Sequence, residues 1–166
     1  MKNFGICLMV CLGIFAAVLM PDVQAQWFLM ENPLLGKRAP EFSLQNLSAQ
    51  KKGLAELRGE KGAILFFWAT WCPHCRTQLA LVNEKKQELA AKNITIILVD
   101  LGEPPQQVQQ YVDVNGITFE VLLDQYGEAA DLYSVAGIPT FVFVNAQGVV
   151  KAIEYELPSN YEELLK

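Results

Sequence analysis

Cys72 and Cys75 stand three residues apart in the stretch Trp71-Cys72-Pro73-His74-Cys75. Side chains three apart on a helix have Cβ atoms roughly 5–6 Å apart, and Cα separations of about 4.4–6.8 Å permit a disulfide. The pair can therefore close and open a bond without rearranging the chain around it. As a structural staple it contributes little, because the chain-entropy estimate for so small a loop is about 2 kcal/mol, against about 3 kcal/mol for 15 residues. A zinc site needs about four ligands, and beyond residue 25 the chain offers only these two thiols and His74 between them. No metal is expected. Covalent haem attachment requires His directly after the second Cys, where Arg76 stands.

Thiol–disulfide exchange is the chemistry that fits. Pro73 suits the first position of a helix, which places Cys72 at the N-cap. There the unsatisfied backbone N–H groups and the positive end of the helix dipole stabilise a thiolate. A thiolate attacks a disulfide and a thiol does not. Cys75, one turn inside, is then the buried resolving thiol. His74, when protonated, stabilises an adjacent thiolate in a pH-dependent way; its plainer reading is an exposed residue of the dipeptide. Trp71 reads either as a packing aromatic or as part of the redox environment.

The elements around the pair follow from hydrophobic pattern. Ala63–Ala69 is a short apolar run after Gly62, which predicts a fully buried strand. From Pro73 to Asn93 the period becomes helical, with Cys75, Leu79, Val82 and Leu89 near one face. Residues 94–100 form a second β-branched run, so the two strands are expected to be parallel, joined by a right-handed βαβ crossover. A helix opened by Glu103-Pro104-Pro105 and running to about Asn115, a strand from Ile117 and a short helix at 127–134 come next. Residues 140–155 read as an antiparallel hairpin about Asn145–Gly148, and Ser159 with Glu162 reads as the capping box of a last helix. A mixed α/β sheet with helices on both faces follows, after a loop-rich beginning.

The chain has 166 residues, 52% of them hydrophobic, and a formal charge of −5 spread along its length. That is one domain with enough apolar material for a core, and no nucleic-acid partner is expected. Lys2 precedes an apolar run from Phe4 to Met20 and then Val23-Gln24-Ala25. This reads as a signal peptide over 1–25, cleaved after Ala25, with an uncleaved membrane anchor as the alternative. Cys11 follows Val10, which does not suit a lipoprotein site, and Cys7 and Cys11 leave with the cleaved segment. The expected location is the periplasm or another extracytoplasmic, oxidising space, where disulfides persist; residues 26–166 form the folded domain.

Three segments, "FFWATWCPHCR", "GIPTFVFVNAQG" and "GKRAPEFSL", resemble the thioredoxin superfamily, and their layout is similar to its exported TlpA/ResA-like thiol-disulfide oxidoreductases. The similarity runs from about Gly36 to the C-terminus. It implies a thioredoxin-like fold with a strand-helix segment inserted after the active-site helix. It also implies a cis Ile138–Pro139 peptide facing the cysteines, with the Ile138 backbone receiving a substrate strand. The expected cofactor is none beyond the Cys72–Cys75 disulfide; the expected partners are cysteine-containing exported proteins and a membrane redox partner for recycling. The Pro-His dipeptide is that of the strongly oxidising exported member of the superfamily, which implies a couple more oxidising than thioredoxin's.

Two departures bear on chemistry. Where such reductases keep a buried acid, this chain has Phe66 and Gln78, so acid–base assistance must come from water or another group. The Gly-Ala-Pro-Glu signature of cytochrome c maturation reductases is missing. Two rival functions, a copper(I)-handling protein and a peroxiredoxin-like peroxidase, remain as alternatives. The first needs wider cysteine spacing and a distant His; the second needs Pro-x-x-x-Thr-x-x-Cys, whereas Thr70 is two residues before Cys72.

Overall fold

Side chains along Gly62–Trp68 (β3) alternate between two separate apolar layers, which is why this strand is buried on both faces. The computed structural model describes residues 32–166; the expected signal peptide or anchor lies outside them. In chain order the remaining elements are β1 (Leu44–Asn46), β2 (Lys51–Lys52) and α1 (Leu54–Arg58), all before β3. After β3 come α2 (Pro73–Glu84), α3 (Lys86–Ala91), β4 (Ile94–Leu101) and α4 (Pro105–Val114). Then follow β5 (Glu120–Asp124), α5 (Glu128–Leu132), β6 (Thr140–Val144), β7 (Val150–Glu154) and a closing 3-10 turn, Glu163–Leu165.

The seven strands form one mixed sheet in the order β2-β1-β5-β4-β3-β6-β7. β3, β4 and β5 run parallel, and the outer pairs are antiparallel. One face of β3 sends Ile64, Phe66 and Trp68 into a layer with Cys75, Leu79 and Val82 of α2, Leu89 of α3, and Val108 and Val112 of α4. The other sends Ala63, Leu65 and Phe67 against Leu54 of α1, Ala129 of α5 and Tyr133. Full burial of each large apolar side chain stabilises the fold by about 1.5–3 kcal/mol. The expected α/β architecture with helices on both faces is the observed one, and β4–α4 and β5–α5 both fall between the cysteine helix and β6.

Three expectations are corrected. The helix expected over 73–93 is two helices meeting at Lys85, whose φ of −84° and ψ of 4° leave the helical region. The 3.6-residue period that buries Leu79, Val82 and Leu89 puts Lys86 at the intervening core position, and an ammonium is not buried without a partner. Lys86 stays exposed and reaches Thr118 and the Phe119 ring instead. The expected last helix is a run of turns ending in three 3-10 residues. Glu162 is drawn to Lys92, not back to Ser159, and Tyr161 is held by Glu88 at 2.6 Å. The beginning is less loop-like than expected: β1, β2 and α1 are regular but too short to print a period on the sequence.

Candidate active site

β3 delivers the chain into a tight turn, with the Cys72 N–H bonded to the Ala69 carbonyl at 3.2 Å. Cys72 is the N-cap of α2, in extended conformation, and Pro73 opens the first turn. The Cys72 Sγ accepts the Cys75 N–H at 3.1 Å, the contact by which a helix N-terminus holds negative charge on sulfur. The two cysteines are joined as a disulfide with Cα atoms 5.2 Å apart. Cys72 is 5% exposed and Cys75 fully buried, the asymmetry expected of an attacking and a resolving sulfur.

The Ile138–Pro139 peptide is cis. It brings the Ile138 carbonyl oxygen to 4.0 Å from the Cys72 Sγ. Thr140 Oγ1 donates to the Gly137 carbonyl at 2.6 Å and fixes the turn before β6. Trp71, next in the chain to Cys72, is 63% exposed and is not part of either core layer. His74 is half exposed, and its Nε2 lies 3.4 Å from the Glu156 carboxylate on the chain leaving β7. Trp71, Cys72, Pro73, His74, Cys75, Ile138 and Pro139 thus converge at one end of the sheet.

Phe66 and Gln78 occupy the positions considered for a buried acid, and both have other partners. Phe66 stacks on Phe141 with ring centroids 4.2 Å apart. Gln78, buried on α2, accepts the Leu157 N–H at 2.9 Å. The acids of this site lie elsewhere. Glu103, at the turn after β4, accepts from the Thr70 N–H and from Thr70 Oγ1 at 2.6 Å. Gln107 of α4 donates to both Glu103 and Thr70 Oγ1. Asp100, at the end of β4, is fully buried. Its carboxyl is pushed up to about 8, first by burial, then by its hydrogen bond with Glu103 and by the charges of Glu103 and Asp124.

Glu103, Gln107, Asp100 and Glu156 were not recognised from sequence as site residues. The signal available was the pair of acids in Val99-Asp100-Leu101-Gly102-Glu103, where a buried β-branched strand ends.

Comparison with known proteins agrees with this geometry. Residues 35–153 match the AhpC/TSA family. The chain is 30% identical over 145 residues to the thiol-disulfide oxidoreductase ResA of Geobacillus thermodenitrificans, spanning 87% of this chain and 83% of that protein. It is 35% identical over 121 residues to the thioredoxin-like protein YneN of Bacillus subtilis, spanning 71% and 69%. Among solved structures, a secreted disulfide oxidoreductase of Mycobacterium tuberculosis, homologous to E. coli DsbE, superposes with a TM-score of 0.62 at 25% identity. The match covers 74% of this chain and 90% of that one.

Proposed function

The chain belongs to the AhpC/TSA family, and from that membership and its site we propose that it exchanges disulfides with cysteines of other exported proteins through Cys72 and Cys75. The reaction class, thiol-disulfide oxidoreductase, is that of the relatives in sequence and structure. The observation that carries the reading is Cys72 at the cap of α2, its Sγ receiving the Cys75 N–H at 3.1 Å, with the Ile138 carbonyl beside it.

In the oxidising direction a substrate thiolate attacks the Cys72 sulfur. The Cys72–Cys75 bond breaks, and Cys75 leaves with the electron pair and takes a proton. A second substrate thiolate then attacks its own sulfur in the mixed disulfide and expels Cys72 as a thiolate, held by the α2 N-terminus and by His74 when protonated. Two electrons pass from substrate to protein. The reverse sequence, starting from the Cys72 thiolate, reduces a substrate disulfide and is resolved by Cys75. The Ile138 carbonyl and Pro139 receive the substrate backbone, and Trp71 presents apolar surface next to the reacting sulfur. The disulfide itself is the only cofactor this chemistry requires.

The apolar, leader-like sequence at 1–25 and the secreted relative support export; a membrane redox partner would reset the cysteine pair. The test uses Cys75→Ser, which lacks the resolving thiol. Incubated with extracytoplasmic extract, it should accumulate mixed disulfides at Cys72, identified by mass spectrometry, and Cys72→Ser should trap nothing. Equal trapping by both variants, or by neither, would reject the function.

A further inference from the structure

Side chains two apart on a strand share a face, so Asp100, two residues beyond Leu98 and in register with Trp68 on β3, faces the layer that holds Cys72 and Cys75. The Glu103 backbone N–H lies toward Asp100 and favours its charged form, but no donor reaches either Asp100 oxygen with hydrogen-bond geometry, and a buried carboxylate without full partners is strongly disfavoured. What faces it is the Glu103 carboxyl. Two carboxyls form a hydrogen bond only while one of them carries a proton. Glu103 is only 4% exposed and already accepts from the Thr70 N–H, Thr70 Oγ1 and Gln107 Nε2. Asp100 is therefore the proton holder.

We propose that Asp100 is a positioning residue for disulfide exchange: its proton holds Glu103, and Glu103 through Thr70 holds the turn that presents Cys72. Thr70 is gripped through both its N–H and its hydroxyl, and two residues later the Cys72 N–H closes the turn on Ala69. Loss of the proton breaks the Asp100 O–H bond, leaves its electron pair on the carboxylate and passes the proton to water; nothing is oxidised or reduced. Two carboxylates then face each other in a buried site, Glu103 is driven away, and Thr70 loses its acceptor. The Cys72 cap loosens as a result.

The other ionisable groups around the pair are Asp124 of β5, Tyr111 of α4, which packs against Trp68 at 5.5 Å, and Arg76 of α2, which faces Tyr111. Asp124 adds negative field and favours the protonated form of Asp100. With the Asp100 carboxyl at about 8, the release falls in a range where thiolates form.

The proposal rests on Cys72 as the attacking thiol. It is tested by the rate at which iodoacetamide alkylates the reduced protein from pH 5 to 10, the labelled cysteine being mapped by mass spectrometry. Wild type should show two inflections, that of the Cys72 thiol and a second near pH 8. Asp100→Asn, whose amide donates to Glu103 at every pH, should lose the second. Thr70→Val should shrink it, while the Asp100 carboxyl carbon resonance still titrates near pH 8. Persistence of both inflections in Asp100→Asn overturns the proposal, as does an Asp100 resonance titrating in the ordinary carboxylate range. If Asp100→Asn does not fold, a second inflection of full amplitude in Thr70→Val overturns it. Label on Cys75 defeats the assignment of Cys72 and this proposal together. Label on Cys72 with an unaltered Asp100→Asn profile defeats this proposal alone.

Discussion

The Gln78 side-chain oxygen accepts the Leu157 N–H at 2.9 Å, tying the chain that leaves β7 onto the helix that begins at Cys72. A buried N–H deprived of its partner costs about 1–3 kcal/mol, and the half-buried Leu157 N–H falls at the lower end of that range. Gln78→Ala should lower stability by that order and speed amide exchange at Leu157. Unchanged exchange at Leu157 would show that the tether does not hold this segment.

A histidine stabilises a neighbouring thiolate only in its charged form, and histidine is the side chain whose charge changes most readily around neutral pH. An exposed charge pair contributes on the order of 0.3–1 kcal/mol, or roughly a twofold to fivefold change in thiolate fraction. His74→Ala should therefore slow alkylation of Cys72 at pH 6 more than at pH 8.5, and the difference should shrink in 1 M salt. A pH-independent loss would mean that His74 acts through packing.

The Cys72–Cys75 couple should lie nearer the oxidising end of the known range, roughly −120 mV, than the thioredoxin end, roughly −270 mV. Three features favour the reduced, thiolate-bearing form: the N-cap contact from Cys75, the neighbouring His74, and apolar Phe66 in place of a buried carboxylate. Equilibration with glutathione buffers measures this. A value at the thioredoxin end would assign the protein to reduction of dedicated targets.

Asp100 also makes stability depend on pH. Its folded value is about 8 against 3.8 for the free side chain. Between these values the folded protein keeps a proton that the unfolded chain has lost, so stability falls as pH rises through the window. The cost is absent below the unfolded value and complete above the folded one. Asp100→Asn should remove a destabilisation on the order of 4 kcal/mol at pH 7 and leave little difference at pH 4. Denaturant titrations at pH 4, 6 and 8 measure it, and parallel pH curves for the two proteins would refute the assignment.

The parts legible in the sequence are those where one local rule suffices. β3 and β4 are buried on both faces and read as unbroken apolar runs. Cys72-Pro73 combines a cap with a first-turn proline. The cis Ile138–Pro139 bond was implied by resemblance and observed. What could not be read depends on pairings distant along the chain. The grip of Glu103 on Thr70 spans 33 residues, and that of Gln78 on Leu157 spans 79. Asp100 looks like an ordinary polar residue ending a strand until the fold lays Trp68 and Glu103 around it. The break at Lys85 needed the further recognition that a lysine stood on the core face of the helical period.

The sheet order sets a timetable for the emerging chain. β1 pairs with β5, as in the bond between Asn46 and Glu120, 74 residues apart, and Ile138 meets Cys72 across 66 residues. Contacts of such separation form late, because a long loop must close before they return any energy. The cysteine helix and β3–β4 depend on nearer neighbours and can assemble first. For a chain delivered from its N-terminus, Cys72 and Cys75 emerge before residue 138 can cover them. During that interval the thiol pair is open to ambient oxidants and unselective in what it attacks. On the proposed role of Ile138 and Pro139 in receiving substrate, discrimination is acquired only when β6 docks against β3, so a nascent or truncated chain would be reactive before it is specific.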